Sequence, residues 1–281
     1  MKLTYYGTSA GAGIPEIFCS CRVCEHARQE RGKNIRTRSQ AILDDTLSID
    51  YPVDVLMHTI HGGLDMRSIK HVLITHSHHD HFMPADVLSR PQGVEGAVHF
   101  YLSEGSGRDF AQSVADTEEA YRSGRRIRTS SFRAEVHLLR MFEPFCVMDY
   151  TVIPLHARHA EALDSLIYVI RRGDKSLLWA HDTGLLHSDT LAYLRESGIR
   201  FDFVSLDCTL KRGEQITKSH MDLDWCIETV NALKEQGNAD DRTVFVLSHI
   251  GHLVERTHDE LVAEAAPYGF TVAYDGMVIE F

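Results

Sequence analysis

The sequence predicts a layered α/β fold with two sheets and outer helices. Short β-rich segments dominate the first half of the chain, and β-rich and helical segments alternate toward its end. No Pro-, Gly- or Ser-rich linker divides the chain. A length of 281 residues suits one large domain or two small ones, and the missing linker favours a single domain over residues 1–281.

The predicted elements follow from local patterns. Leu223, Cys226, Ile227 and Val230 recur at helical spacing and predict a helix, and residues 112–122 and 259–266 predict two more. A Gly at position 276 between two β-rich segments predicts a hairpin over residues 270–281. Runs rich in β-branched and aromatic residues predict strands over residues 2–6, 40–43, 46–50, 71–75, 98–102, 150–155, 165–171, 176–180, 201–206, 243–248 and 270–274.

Composition excludes several classes of protein. A net charge of −11 argues against a broad nucleic-acid surface, and we expect the basic segment 122–128 to be a solvated loop. No apolar run approaches the ~18 residues of a membrane span. Residues 1–6 lack the apolar segment of a signal peptide, so a cytoplasmic protein without a membrane partner is expected. Its six cysteines then indicate thiols or metal ligands, and its 18 histidines are unusually many.

The densest histidine cluster is a loop that follows the predicted strand 71–75 and contains His76, His78, Asp80 and His81. Imidazole and carboxylate groups bind Zn, Mn or Fe, and one loop with this spacing can serve two adjacent metals. Further ligand types follow predicted strands downstream, and they include His156, His159, Asp182, His249 and His252.

The order His76-x-His78-x-Asp80-His81, then His159, Asp182 and His249, resembles the metallo-β-lactamase superfamily. The resemblance implies a four-layer αββα sandwich with the metals at the sheet edges. It implies a first metal on His76, His78 and His159, a second on Asp80, His81 and His249, and Asp182 bridging both. His156 stays an alternative to His159, which matches the family's spacing better.

Cys19, Cys21 and Cys24 form a C-x-C-x-x-C segment, which indicates a metal site in a cytosolic chain. Three thiolates leave a tetrahedral Zn one ligand short, so we expect a structural Zn with His252 as the fourth ligand. Free or redox-active thiols are the alternative.

Together with segment 7–15, Asp182-Thr-Gly184, Asp207 and His220, the cysteines are similar to those of the phosphoribosyl cyclic phosphodiesterases of the carbon–phosphorus lyase (phosphonate) pathway. The resemblance covers nearly the whole chain and weakens over residues 86–149. It implies a hydrolase with two divalent metals, Zn or Mn, acting on a small phosphodiester, such as a cyclic ribose phosphate. Two metals about 3.5–4 Å apart can clamp an in-line displacement at phosphorus.

We assign catalytic roles to three residues. The resemblance makes His220 the general acid for the leaving group, and Asp80 acts within the metal centre. Asp207 ends a predicted strand and is expected to orient a metal-bound histidine, a role for which Asp50 is a further candidate.

Two alternatives stay open. Nucleases that process the 3′ end of tRNA share the opening Gly7-Thr-Ser9 and the metal ligands, although the cysteine triad and the acidic charge disfavour them. A metal-binding protein without turnover is the other, and the presence of all seven metal ligands disfavours it. The sequence leaves the exact substrate, the native metal and the assembly, a homodimer included, undecided.

Overall fold

The computed structural model describes residues 1–88, 96–125, 134–214 and 216–281. Within these residues, two mixed sheets pack face to face and helices cover both outer faces. This confirms the predicted layered α/β fold and the four-layer αββα order that the family resemblance implied.

The first sheet combines the first half of the chain with the last strand. It is antiparallel over its first four strands in spatial order and parallel over the remaining ones. In spatial order its strands are β14 (Val278–Glu280), β1 (Lys2–Gly7), β2 (Gln40–Leu43), β3 (Leu47–Ile49), β4 (His71–Leu73), β5 (Val98–Ser103) and β6 (Ala134–Leu139).

The second sheet repeats this arrangement with its parallel strands first. Its spatial order is β13 (Phe270–Val272), β12 (Val244–Ser248), β11 (Phe203–Asp207), β10 (Lys175–Ala180), β9 (Leu166–Arg172), β8 (Tyr150–His156) and β7 (Phe145–Val147). The parallel strands β10 to β13 lie next to one another, so their carboxyl ends meet at one edge of the sheet.

Helices cover each sheet because their apolar faces need burial. Residues from α2 (Val55–Gly62), α3 (Pro84–Leu88) and α4 (Glu104–Arg122) contribute to the core on the outside of the first sheet. Residues from α1 (Arg22–Glu30), α5 (Ser188–Ser197), α6 (Leu223–Glu235) and α7 (His258–Ala265) do the same for the second. No helix of the described residues combines the length and the apolarity that crossing a bilayer requires.

Between the sheets lies a third core, to which both contribute. Tyr5 of β1 stacks on Trp179 of β10 with ring centroids 5.8 Å apart, and both rings are fully buried. The Tyr5 hydroxyl lies 2.7 Å from Ser205 Oγ in β11, so the buried oxygen has a partner. The two sheets therefore share one apolar interior, and a single domain over residues 1–281 stays our prediction.

Several predicted elements need correction. The hairpin over residues 270–281 is wrong, because β13 pairs with β12 in the second sheet and β14 pairs with β1 in the first. The helix at 112–122 begins earlier, at Glu104, where Ser103 Oγ accepts the N–H of Ser106 as an N-cap. Strands β6 and β7 were not predicted. Of the basic segment, residues 122–125 close α4 and its turn, whereas residues 126–128 lie outside the described part.

Candidate metal centre

The predicted ligands converge because they follow the carboxyl ends of strands in both sheets. Asp50 follows β3, the loop from His76 follows β4, and Asp182 lies two residues beyond β10. Asp207 is the last residue of β11, and His249 comes directly after β12. Side chains at these ends point into the same space where the two sheets face each other.

Three of these residues have a backbone that favours glycine. The φ angles are 65° at Asp50, 48° at Asp182 and 54° at His249. Such left-handed conformations at non-glycine residues cost of order 1 kcal/mol or more and persist where surrounding contacts enforce them. Each of the three residues lies within two residues of a strand end, and its side chain turns into the site.

A first group of nitrogens comes from His76, His78 and His159. His78 Nδ1 lies 2.9 Å from His76 Nε2 and 3.2 Å from His159 Nε2. Ligands on a tetrahedral ion with bonds of 2.0–2.1 Å are separated by about 3.3 Å, so these distances fit a shared metal. His76 is buried, His159 is half-buried and His78 is exposed, so this group extends from the interior to the surface. His156 lies elsewhere, with Nδ1 3.3 Å from Asp189 Oδ2, so His159 and not His156 lies together with His76 and His78.

The second group consists of Asp80, His81 and His249 and is buried. His81 Nε2 lies 3.2 Å from His249 Nε2 and 3.4 Å from Asp80 Oδ2. Both histidines are at most 1% exposed and Asp80 is 7% exposed. The three side chains thus form a deep, mostly water-excluded set of ligand atoms.

Asp182 stands between the two groups. Its Oδ1 lies 3.7 Å from His159 Nε2, and its Oδ2 lies 3.8 Å from His76 Nε2, 3.1 Å from His249 Nε2 and in close contact with His81 Nε2. Among the described residues the buried Oδ2 makes no hydrogen bond of acceptable geometry. A carboxylate that approaches imidazoles of both ligand groups fits the role of a bridge between two metals, so the donor set suits a dinuclear centre.

The charges of the second group favour a cation. Burial disfavours the charged form of His249, but Asp182 and Asp207 outweigh burial and raise the pKa of His249 to about 10. Burial likewise acts against His81, yet Asp182, Asp50 and Asp80 raise its pKa well above the usual value. The buried carboxylates thus favour positive charge at this point, and a divalent ion would supply it.

Hydrogen bonds outside the ligand atoms fix the orientation of the imidazoles. His81 Nδ1 lies 2.7 Å from Asp50 Oδ2, and Thr75 donates its backbone N–H and its hydroxyl to the same carboxylate. His249 Nδ1 lies 3.0 Å from Thr209 Oγ1 and 3.2 Å from Asp207 Oδ2. Both imidazoles therefore direct Nε2 toward the metal position, as outer partners of metal-bound histidines commonly arrange.

His220 lies beside the centre, just before α6. Its Nδ1 is 2.9 Å from Asp207 Oδ2 and 3.4 Å from Asp182 Oδ1. Burial lowers the pKa of His220, but the charge and hydrogen bond of Asp207 outweigh it and raise the pKa. A Cβ on Gly184 would lie 1.9 Å from the Lys218 carbonyl, so only glycine lets the segment before His220 approach so closely.

His220 also belongs to a set of side chains that could hold a cation. Ligand atoms of Asp182, Asp207, His220 and His249 all lie within 4.8 Å of one another. His220 is therefore placed to act either as a proton donor or as an additional ligand, and metal content distinguishes the two.

A separate cluster contains Cys19, Cys21, Cys24 and His252. His252 Nδ1 lies 3.4 Å from Cys19 Sγ and 3.6 Å from Cys21 Sγ, and all four ligand atoms lie within 4.8 Å of one another. A tetrahedral Zn with ordinary Zn–N and Zn–S bonds separates such atoms by about 3.6 Å. Burial raises the pKa of Cys21, but hydrogen bonds from the Cys24 backbone and from His252 outweigh it and lower the pKa to about 6.

A family model described as a beta-lactamase superfamily domain matches residues 52–250, which is more than half of the chain. The chain belongs to the metallo-β-lactamase superfamily. The superfamily and the ligand groups together support a metal-dependent hydrolase.

Solved structures are similar to this superfamily member over its whole length. A diphosphatase of the PhnP family is 24% identical with a TM-score of 0.73, covering 100% of this chain and 97% of that chain. Zn(2+)-bound PqqB from Methylobacterium extorquens is 19% identical with a TM-score of 0.70, covering 100% of both. The short form of human tRNase Z is 16% identical with a TM-score of 0.66, covering 100% of this chain and 99% of the other. These likenesses show the fold.

One curated relative is similar in sequence. An octanoyltransferase from Porphyromonas gingivalis (strain ATCC BAA-308 / W83) is 28% identical over 294 residues, covering 99% of this chain and 51% of that protein. The chain thus spans about half the length of the curated relative it matches.

Sequence reasoning did not identify three residues that contact candidate ligands in this metallo-β-lactamase-fold protein. Thr75 Oγ1 lies 3.1 Å from His76 Nδ1, and Thr209 Oγ1 lies 3.0 Å from His249 Nδ1. Glu16 Oε2 lies 3.1 Å from His252 Nε2, beside the cysteine cluster. Thr75 directly precedes His76, and Thr209 comes two residues after Asp207, so adjacency to a predicted ligand was the available signal.

Proposed function

We propose that the protein is a dinuclear-metal-dependent phosphodiesterase that hydrolyses a small phosphodiester, with a five-membered cyclic phosphate on ribose as the leading substrate class. One observation carries the proposal. Asp182 lies between the two ligand groups, and His220 lies beside them. Asp207 holds His220, whose ring centroid is 5.0 Å from that of His159.

We propose one divalent ion for each of the two ligand groups. His76, His78 and His159 would hold one divalent ion, and Asp80, His81 and His249 the other, with Asp182 bridging. Zn or Mn bound there would supply Lewis-acid stabilisation of charge at phosphorus and an activated water. We propose further that Cys19, Cys21, Cys24 and His252 hold a structural Zn that links α1 to the chain segment after β12.

The protein's own contribution to bond cleavage is a proton for the leaving oxygen. An alkoxide leaves poorly without one, and imidazole is well suited to supply it because its pKa lies near working pH. Asp207 keeps the His220 ring fixed through Nδ1, which leaves Nε2 to donate. Asp207 also orients His249, so one carboxylate couples the proton donor to the buried ligand group.

Charge and the surroundings of the metal loop favour a small substrate over a polynucleotide. The net charge of −11 opposes binding of a long polyanion. Ser77 in the metal loop donates to Asp109 of α4, and the N–H of Gly105 donates to Asp164 in the loop after His159. Helix α4 thereby contacts both loops that carry the ligand group of His76, His78 and His159. It lies within segment 86–149, where the family resemblance is weakest, so we expect α4 to contribute to substrate choice.

The test is a substrate panel with metal-reconstituted enzyme. It comprises ribose 1,2-cyclic phosphate, 2′,3′-cyclic nucleotides, bis(p-nitrophenyl) phosphate, an organic diphosphate, a tRNA precursor and an octanoyl thioester, each with Zn or Mn. We expect turnover of the cyclic ribose phosphates, and the Asp182→Asn variant serves as the inactive control.

Each other outcome has a distinct meaning. Turnover of the tRNA precursor alone would establish the nuclease alternative, consistent with the structural likeness to tRNase Z. Cleavage of the diphosphate alone would move the substrate class toward that of the PhnP-family neighbour. Hydrolysis of the thioester without any phosphoester activity would refute the proposal.

A further inference from the structure

A second group of histidines lies on three neighbouring parallel strands of the first sheet. His71 begins β4, while His76 and the metal loop follow the other end of that strand. His99 lies on β5 and His137 on β6, and the register pairs His71 with His99, His99 with Glu135 and Tyr101 with His137. None of these residues belongs to the dinuclear centre or to the cysteine cluster.

Their ligand atoms are close together. His99 Nδ1 lies 3.1 Å from His137 Nε2 and 3.3 Å from Glu135 Oε2, and the three atoms lie within 4.8 Å of one another. A tetrahedral ion with bonds of 2.0–2.2 Å separates nitrogen and oxygen ligands by about 3.3–3.5 Å. Both distances between the ligand atoms are therefore close to those of a bound ion.

Neighbouring rings hold the two imidazoles in place. His71 stacks on His99 with centroids 4.9 Å apart and an interplanar angle of 15°. Tyr101 stacks on His137 at 4.6 Å and 14°, and its hydroxyl lies 3.1 Å from His71 Nδ1. Because Tyr101 belongs to the core between the sheets, the stack is anchored to a rigid part of the fold.

We propose that His99, His137 and Glu135 bind a divalent first-row transition ion, with its remaining position open to water. Two histidines and one carboxylate are a ligand set that proteins use for Zn²⁺ with an open site, and Cu²⁺ binds such nitrogen and oxygen ligands more tightly. The glutamate is exposed and the histidines are half-buried, so the ion reaches the site from solvent. The ion would link β5 to β6 and so fix the outer strand of the sheet.

The experiment counts metals on the Zn-loaded enzyme. Wild type, His137→Ala, Glu135→Gln and the control His61→Ala are dialysed against buffered Zn²⁺, and bound metal is measured by mass spectrometry. His61 is an exposed histidine on α2 and serves as a matched loss of one imidazole. We expect wild type and His61→Ala to hold one equivalent of Zn more than His137→Ala. Glu135→Gln should bind this ion more weakly, so it should need a higher free Zn²⁺ concentration than wild type to stay loaded.

A second readout reports ligand identity. Cu²⁺ added to the Zn-loaded wild type should give one electron paramagnetic resonance signal with hyperfine splitting from two nitrogens, absent in His137→Ala. Hydrolase activity should be the same in all four proteins, because none of the substitutions touches the dinuclear centre. Metal binding by His99, Glu135 and His137 is therefore tested separately from the proposed phosphodiesterase activity. Equal metal counts and equal Cu²⁺ signals in wild type and His137→Ala would overturn the proposal and leave the contact as a hydrogen bond between histidines.

Discussion

Replacement of His220 by alanine tests whether this residue donates a proton to the leaving group or binds a metal. If His220 gives a proton to the leaving group, the variant keeps both metals at the dinuclear centre and loses turnover on substrates with alkoxide leaving groups. The ligand groups of His76, His78 and His159 and of Asp80, His81 and His249 do not contain His220, so their geometry should survive.

The structure sets the expected magnitudes. The Asp207 carboxylate loses one donor but keeps His249 Nδ1 and the backbone N–H groups of Thr209 and Met221. The free energy of unfolding should therefore fall by only about 1–2 kcal/mol. General acid–base catalysis contributes about 10²–10⁴-fold, so kcat should fall by that factor, equivalent to about 2.7–5.5 kcal/mol of barrier.

The assay compares two leaving groups on the same protein. On a cyclic ribose phosphate the variant should show the full loss, whereas on bis(p-nitrophenyl) phosphate the loss should shrink, because nitrophenolate leaves without a proton. Metal content by mass spectrometry and a circular dichroism melt accompany the kinetics, so a folding defect is detected independently.

Two results would refute this reasoning. Equal impairment on good and poor leaving groups would mean that His220 binds substrate or supports the fold. Loss of one metal equivalent would instead mean that His220 binds a metal together with Asp182, Asp207 and His249, and the general-acid assignment would be withdrawn.

Three further predictions concern metals and stability. Asp182→Asn should lose metal from both ligand groups and activity on every substrate together, as elemental analysis and the same kinetics measure; an Asn variant with two metals would exclude a bridge. Cys21→Ala should bind one Zn fewer per chain and melt about 5–10 °C lower, since a bound ion at 100-fold excess over its Kd stabilises by about 2.7 kcal/mol; an unchanged count would remove the structural Zn. Burial lowers the pKa of His58 to about 4, so the folded protein keeps this imidazole neutral. The unfolded chain takes up a proton below about pH 6.5, so the free energy of unfolding should fall with pH, by about 2 kcal/mol at pH 5. Denaturant titrations of wild type and His58→Gln at pH 7.5 and 5 should show a shallower loss in the variant, and equal slopes would contradict a neutral buried His58.

Sequence reasoning is most informative where candidate ligand types lie at short spacing. The loop from His76 to His81 carries four candidate metal ligands within six residues, and Cys19, Cys21 and Cys24 lie within another six. Such spacing is local information, because a short loop at a strand end can direct its side chains at one point whatever the rest of the fold does.

Local information failed at strand pairing. Residues 270–281 contain a Gly between two β-rich runs, which is typical of a hairpin, yet β13 lies parallel to β12 and β14 antiparallel to β1 in the other sheet. The turn at Gly276 permits either arrangement. The strand with which a segment pairs depends on which sheet edges the rest of the chain leaves unpaired. Burial of the whole hydrophobic core decides where those edges lie.

The sequence by itself determined the superfamily and the order of the candidate metal ligands, because imidazole, carboxylate and thiolate groups at these spacings are typical of metal sites. Only the tertiary structure decided that His159, and not His156, lies beside His78, that Asp207 contacts both His220 and His249, and that His99 lies beside His137. These contacts join residues from separate strands and loops. They exist because two twisted sheets pack face to face and bring particular strand ends and registers together, and no local pattern encodes that packing.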